Sequence, residues 1–329
     1  MDSYLVYLAC RFTLSIFRRI PRGIAVPLIR LLASIAYWID FKHRRISRTN
    51  LRIAFPELSA SERDRIGRKS FQTTALNLLE MSRLNLWTPA TIPGLVVYDN
   101  VHGLNNYRAA VATGKPLLYL TGHFSAWELL PAAHALYGYP LSFVTRPLDN
   151  PHLETYLLRL RQAAGNRVLS KKNSARRILE ELKRGGPVGL LIDQNTTLRE
   201  GIFAELFGVP AATTTSLALL ALRTDAAVLP GYLTPFREGR YLIKFLPPLD
   251  LVRSGDMAAD IQTNTQLFNQ VLERIIRESP ESWLWGHKRW KNQPEGNPDI
   301  YSLSENELES FLRRTRSAAP REVHRQASE

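Results

Sequence analysis

Cysteine is nearly absent from this chain: Cys10 is the only one in 329 residues. That excludes an internal disulfide framework and a multi-cysteine zinc site, and it fits a reducing compartment. Acidic residues are scarce too, 30 Asp and Glu against 43 Lys and Arg, for a formal net charge of +13. Long uncharged apolar runs are also missing. Tyr4 to Phe17 is interrupted by Arg11 and Ile24 to Ile39 by Arg30, so neither gives the roughly 18–20 uncharged residues of a clear membrane span. A secretory leader is not expected, because Asp2 is acidic and the basic cluster follows the first apolar run instead of preceding it. The chain has neither a Walker-type phosphate loop nor a Gly-x-Ser-x-Gly nucleophile elbow.

The 45% hydrophobic content is enough for a substantial core and excludes a disordered polymer. The charge is unevenly distributed. Residues 1–70 hold 14 basic and 5 acidic residues, a net of +9, set among Leu, Ile, Phe, Tyr and Trp. Nucleic-acid binders interleave basic residues with polar ones, whereas this mixture reads as a segment lying on an anionic membrane. Two amphipathic helices in the interface, or a short membrane-dipping hairpin, are therefore expected; the alternative is that both helices pack on the body of the protein. The expected organisation is a membrane-associated helical segment over 1–55, a catalytic domain over 56–302 and a polar tail over 303–329 that is helical at first.

Ser61 to Trp87 has the periodicity of one or two amphipathic helices, and from about residue 100 strands and helices alternate. Strands are expected at Pro116–Thr121, Leu141–Thr145, Val188–Ile192, Ala227–Leu233 and Arg240–Leu246. Helices are expected at Ser125–Tyr137, Pro151–Gly165, Ser174–Arg184, Thr213–Arg223 and Ala258–Glu278. This rhythm predicts an α/β fold, a mostly parallel sheet flanked by helices with active residues at the strand C-termini.

His123 directly follows the Pro116–Thr121 strand, and Glu128 lies five residues on. On one continuous helix those side chains would diverge by roughly 140°. They meet only if His123 sits in the turn and Glu128 in the first helical turn, with Ser125 as N-cap. A carboxylate there would fix the imidazole tautomer and favour its protonated form, which suits a general base. Ser125-x-x-Glu128 is also a capping box, so Glu128 has a rival role bonding back to the Ser125 backbone. A metal site built from His123, Glu128 and Asp193 lacks a second nearby His, and none is expected.

Four blocks in order carry a resemblance: Gly122-His123-x4-Glu128; Arg146-Pro147 through Asn150-Pro151; Asp193-Gln194 followed by the Phe207-Gly208-x-Pro210-Ala-x-Thr213 run; and Trp285-Gly-His287-Lys288-Arg289-Trp290-Lys291. Over roughly residues 20–295 the chain resembles the bacterial lipid A biosynthesis acyltransferases, the lauroyl and myristoyl branch of the lysophospholipid and glycerolipid acyltransferase superfamily. The resemblance implies direct transfer of a fatty acyl group from a thioester to a lipid hydroxyl, with no acyl-enzyme and no cofactor. His123 would be the general base and Glu128 would orient and polarise it. Arg146, Asn150, Asp193, Lys288 and Arg289 are the expected substrate-binding residues, with His287 packed or capping. The partners implied are an acyl carrier protein or acyl-CoA donor, a phosphorylated glycolipid acceptor and the cytoplasmic face of the inner membrane, without nucleic acid. A lysophospholipid or other glycolipid acceptor fits the same residues, and a non-catalytic basic membrane-binding protein is the remaining alternative.

Overall fold

A computed structural model describes residues 3–170 and 174–318; the tail beyond residue 318 lies outside the described residues. Four helices open the chain: α1 (Ser3–Arg19), α2 (Arg22–Ile39), α3 (Phe41–Ala54) and α4 (Ala60–Met81). There follow β1 (Val96–Tyr98), α5 (Leu104–Ala112), β2 (Leu117–Thr121), α6 (Leu129–Leu136), β3 (Ser142–Thr145), α7 (Pro151–Gln162), β4 (Arg167–Ser170), α8 (Ser174–Lys183) and β5 (Val188–Leu191). The chain then forms β6 (Gly201–Leu206), β7 (Val209–Thr214), α9 (Ser216–Thr224), β8 (Ala227–Pro235), β9 (Tyr241–Phe245), α10 (Met257–Glu278) and α11 (Glu305–Ala318).

Seven strands make one sheet in the order β1-β9-β8-β2-β5-β3-β4. Every neighbouring pair is parallel except β8 with β9. The mostly parallel sheet flanked by helices is thus as expected. β2 lies at its centre and is buried almost throughout, so its apolar run is covered on both faces, as in other α/β sheets. One core contains Leu118 and Leu120 with α9, α10 and α11; the other contains Leu117 and Tyr119 with α6 and α7. Leu308, Phe311 and Leu312 of α11 belong to the first core.

Two helix starts differ from expectation. α6 begins at Leu129, four residues after Ser125, because Ser125 has φ 52° and its N–H donates to Ser282 O at 2.7 Å. The backbone at Ser125 is thereby turned toward the 280–285 segment and cannot start a helix. Thr213 lies in β7 of an antiparallel hairpin with β6, and α9 starts after it.

α2 is 18 residues long and apolar enough to cross a membrane by length and composition. Its Ala25, Ile29, Ala33 and Tyr37 recur every four residues and form a buried stripe that packs largely against α4. Ile24, Leu28, Leu31, Leu32, Ile35, Trp38 and Ile39 on its other faces are exposed, as are Leu5, Leu8, Phe12 and Ile16 of α1. Both helices are fastened to the body. Arg22 bonds the fully buried Glu80 and Gly239 O, each at 2.6 Å, and Arg83 donates to Phe17 O and Ile20 O at the end of α1.

Candidate active site

Gly122 and His123 form the turn at the C-terminal end of β2, and Asp193 follows the adjacent parallel strand β5, where Leu191 pairs with Thr121. Two strand ends thus bring together residues 70 apart in sequence. His123 Nδ1–H donates to Asp193 Oδ1 at 2.8 Å, while the His123 backbone N–H donates to Oδ2, also at 2.8 Å. The Trp283 indole N–H adds a third bond to Oδ2 at 2.8 Å. Gly122 is required by this contact: a Cβ there would lie 2.9 Å from both Cγ and Oδ2 of Asp193.

Burial would push the Asp193 carboxyl up, but His123 and the three donors outweigh that and bring it down to about 2. For His123, burial lowers the imidazole pKa, and the Asp193 charge and hydrogen bond more than offset this, with a smaller contribution from Glu128, so it is held above its ordinary value. With Nδ1 committed to a carboxylate, the basic lone pair is on Nε2. The Gln194 side-chain amide lies 3.4 Å from that atom.

Asp193, expected among the substrate ligands, is therefore the partner of the His123 ring. Glu128 is held elsewhere: Arg161 of α7 grips its carboxylate bidentately, at 2.9 and 2.6 Å, and its backbone N–H donates to Asn77 Oδ1. The Ser125–Glu128 capping box does not form, since Glu128 itself is the N-cap position of α6 and makes no side-chain cap bond. The backbone N–H groups of Phe124, Ser125 and Leu129 are also engaged, with Gly122 O, Ser282 O and Ala126 O.

A cavity of about 740 Å³ opens at these strand ends. His123, Glu128, Arg146, Arg161, Gln194 and Asn195 line its polar part, and it extends between Leu130, Phe143 and Gly189 toward Tyr119, His134 and Phe245. His134 is buried against Tyr98 and Tyr119, with Nδ1 and Nε2 bonded to their hydroxyls, and burial takes its pKa down to about 3, so it is neutral there. Arg146 is exposed at the cavity wall.

The other expected substrate residues have different surroundings. Asn150 caps α7: its Oδ1 accepts the His152 and Leu153 N–H groups at 3.1 Å, and its Nδ2 donates to Ser3 O. Lys288 stands over the Tyr301 ring, its Nζ 5.2 Å from the centroid. Arg289 is fully buried, where it donates to Ala212 O and Thr213 Oγ1, and burial lowers its pKa to about 10. A guanidinium enclosed in this way supports β7 and has no surface to offer a phosphate. Trp285 and Trp290 lie in the same core, so this C-terminal block is largely architectural. His287 Nε2 accepts the Asn195 N–H at 3.1 Å, consistent with a packed role, and burial takes its pKa down to about 4.

Sequence reasoning missed Arg161, Asn77 and Trp283. None stands at an instructive spacing from His123 or Glu128; only the packing of α4, α7 and the 280–285 segment on the β2 turn brings them in. Trp283 does stand two residues before the C-terminal block, which is the one signal that was available.

A mostly parallel sheet with a His-Asp pair at its strand ends, an arginine-held glutamate beside it and an adjoining cavity is an α/β arrangement suited to general-base chemistry. Residues 1–292 match the family described as bacterial lipid A biosynthesis acyltransferase, and the chain belongs to that family of O-acyltransferases. It is 28% identical over 272 residues to the lipid A biosynthesis lauroyltransferase of Escherichia coli K12, covering 82% of this chain and 86% of that protein. The palmitoleoyltransferase of the same strain is 27% identical over 263 residues, covering 79% and 82%. Its myristoyltransferase is 23% identical over 286 residues, covering 84% and 86%.

Proposed function

We propose that this enzyme transfers a fatty acyl chain from an acyl thioester, carried by an acyl carrier protein or by CoA, directly to a hydroxyl of a lipid A precursor at the cytoplasmic face of the inner membrane. The observation that carries this reading is the His123–Asp193 pair, with Nε2 left basic at the wall of a large cavity whose deeper part is apolar. The acceptor hydroxyl attacks the thioester carbonyl while His123 Nε2 takes its proton. The tetrahedral intermediate then expels the thiolate, which receives that proton, so one C–O bond forms and one C–S bond breaks. General-base assistance of this kind contributes about 10²–10⁴ in rate.

Asp193 orients the ring and stabilises the imidazolium that forms. Glu128 acts on it through space, held in place by Arg161. The Gln194 amide, 3.4 Å from Nε2, is a side-chain donor suited to the developing oxyanion. Arg146 is suited to an acceptor phosphate, which a guanidinium grips bidentately. The acyl chain runs along the apolar part of the cavity toward Tyr119 and His134. Membrane attachment through α1 and α2 is supported by their exposed apolar faces and the basic character of residues 1–70, at about 1 kcal/mol per basic residue near an anionic surface.

Mass spectrometry of membrane lipids with and without the protein, and with His123→Ala, tests the reading. A secondary acyl chain on lipid A that depends on the wild-type chain supports it. Changed phospholipids with unaltered lipid A would assign the enzyme to a lysophospholipid acceptor, and full activity of His123→Ala would remove the mechanism.

A further inference from the structure

A second cavity, of about 400 Å³, lies between α2, α4 and the loop that carries His287. Its walls include Ala36, Phe71, Ala75, Leu78, Leu284 and His287. It stays open because small side chains face one another across it: Ala33 and Ala36 on α2, Ala75 on α4 and Gly286 in the loop. Ser70, His43 and His287 on its walls each have a partner elsewhere. Ser70 Oγ donates to Trp283 O, His43 Nδ1 is bonded to Asp40, and His287 Nε2 accepts the Asn195 N–H. What remains is a groove walled mainly by hydrocarbon side chains.

Two relationships specify its occupant. Leu78 in its wall is 51% exposed, and the neighbouring Leu32, Ile35 and Ile39 of α2 are exposed as well, so the groove is continuous with the apolar face assigned above to the membrane. At its other side, His287 is bonded to Asn195, which lines the catalytic cavity. One hydrogen-bonded pair thus stands between the groove and the cavity that contains His123. A lipid presenting its hydroxyl to Nε2 has this groove within reach for a chain that leads back toward the bilayer.

We infer that the α2–α4 groove holds a hydrocarbon chain already present on the acceptor lipid, while the donor's chain occupies the catalytic cavity. This inference rests on the acyl-transfer reading above. It gives the enzyme a means of preferring an acylated acceptor over the bare headgroup, because burying each methylene contributes about 0.8 kcal/mol.

Ala36→Trp fills the groove from an exposed position on α2, and Val111→Trp places the same bulk at an exposed position on α5, outside both cavities. Steady-state kinetics of the full chain in anionic vesicles, with an acyl thioester donor and a chain-bearing lipid A precursor, should show the acceptor KM raised at least tenfold in A36W. The donor KM should stay within twofold, and V111W should behave as wild type. An unchanged acceptor KM in A36W overturns the inference, as does a rise in the donor KM instead, which would place the donor's chain in the groove. Ala36→Leu, a smaller filling, should give an intermediate acceptor KM and provides the same readout if the tryptophan variant is not recovered folded. Failure of the acyl-transfer reading is separately visible, since wild type would then show no His123-dependent transfer to this acceptor.

Discussion

Asp193 receives both N–H groups of His123, the ring donor at Oδ1 and the backbone donor at Oδ2. The ring is thereby fixed in orientation and in tautomer by a single carboxylate. Asp193→Asn keeps the shape but withdraws the charge, and an amide can present its N–H to Nδ1 and stabilise the wrong tautomer. A similar exchange in a Ser-His-Asp triad lowers turnover about 10⁴-fold. The expected result here is a fall in kcat of about 10²–10⁴ with the acceptor KM little changed, measured by steady-state transfer of a labelled chain. Retained turnover would remove Asp193 from the mechanism.

The pH profile follows from the same pair. His123 must be neutral at Nε2 to accept a proton, and its pKa is raised by Asp193, so activity should fall as pH drops through a value above the ordinary ~6.5 of histidine. D193N should move that limb to lower pH. The stability linkage has the opposite sense for the two partners. The raised His123 pKa contributes stability that is complete below about 6.5 and is lost as pH rises through the folded value. The depressed Asp193 pKa contributes stability that is present above about 3.9 and is lost as pH falls toward about 2. Activity against pH for wild type and D193N checks the first statement, and thermal melts across pH check the second.

Gly122→Ala would set a methyl carbon 2.9 Å from the Asp193 carboxylate and from the Phe124 ring. The carboxylate must shift away from His123, so a loss of at least tenfold in kcat is expected with a circular dichroism spectrum close to wild type. Normal turnover in G122A would mean that the carboxylate position is not critical.

Glu128 and Arg161 are 11% and 13% exposed and form a bidentate pair. Glu128→Ala leaves the Arg161 charge largely buried without its partner, which costs about 3 kcal/mol of stability. Replacing both with apolar residues of similar size, as in Glu128→Leu with Arg161→Met, should recover most of the melting temperature without recovering activity. A double variant that regains turnover would assign the pair to folding alone.

Arg289 and Arg146 should separate in kind. Arg289→Ala removes a fully buried group that bonds Ala212 and Thr213, so its effect should appear as a lower melting temperature, by several degrees or more. Arg146→Ala should leave the melt unchanged and raise the acceptor KM about tenfold when the acceptor is phosphorylated. Equal effects on donor and acceptor KM would remove the phosphate role of Arg146.

The sheet was legible in the sequence where apolar runs were bounded by glycine, as at β2 between Gly114 and Gly122, or followed a Gly-Gly-Pro stop, as at β5. β1, β4 and the β6–β7 hairpin were not legible: β1 is only three residues long, and β4 holds just two apolar residues, Val168 and Leu169, between Arg167 and Ser170. His123 was legible from its strand-turn position and its motif. The partner of its ring was not, because Glu128 is near in sequence while Asp193 is brought in by strand pairing, which local spacing does not encode. Arg289 shows the complementary limit. A basic cluster reads as a substrate ligand until tertiary packing shows that one of its members is enclosed.

The Arg22–Glu80 and Arg83 clamps tie α1 and α2 to the same frame that carries β2. Helices pinned in this way act as a keel, in contrast to a leash. Seated in a bilayer, they would fix the tilt of the whole molecule and the height of the His123 cavity above the hydrocarbon. The enzyme would then meet its acceptor by lateral diffusion at one set altitude, and a shift of the keel by a single helical turn would move the reacting atoms about 5 Å from the headgroups they serve.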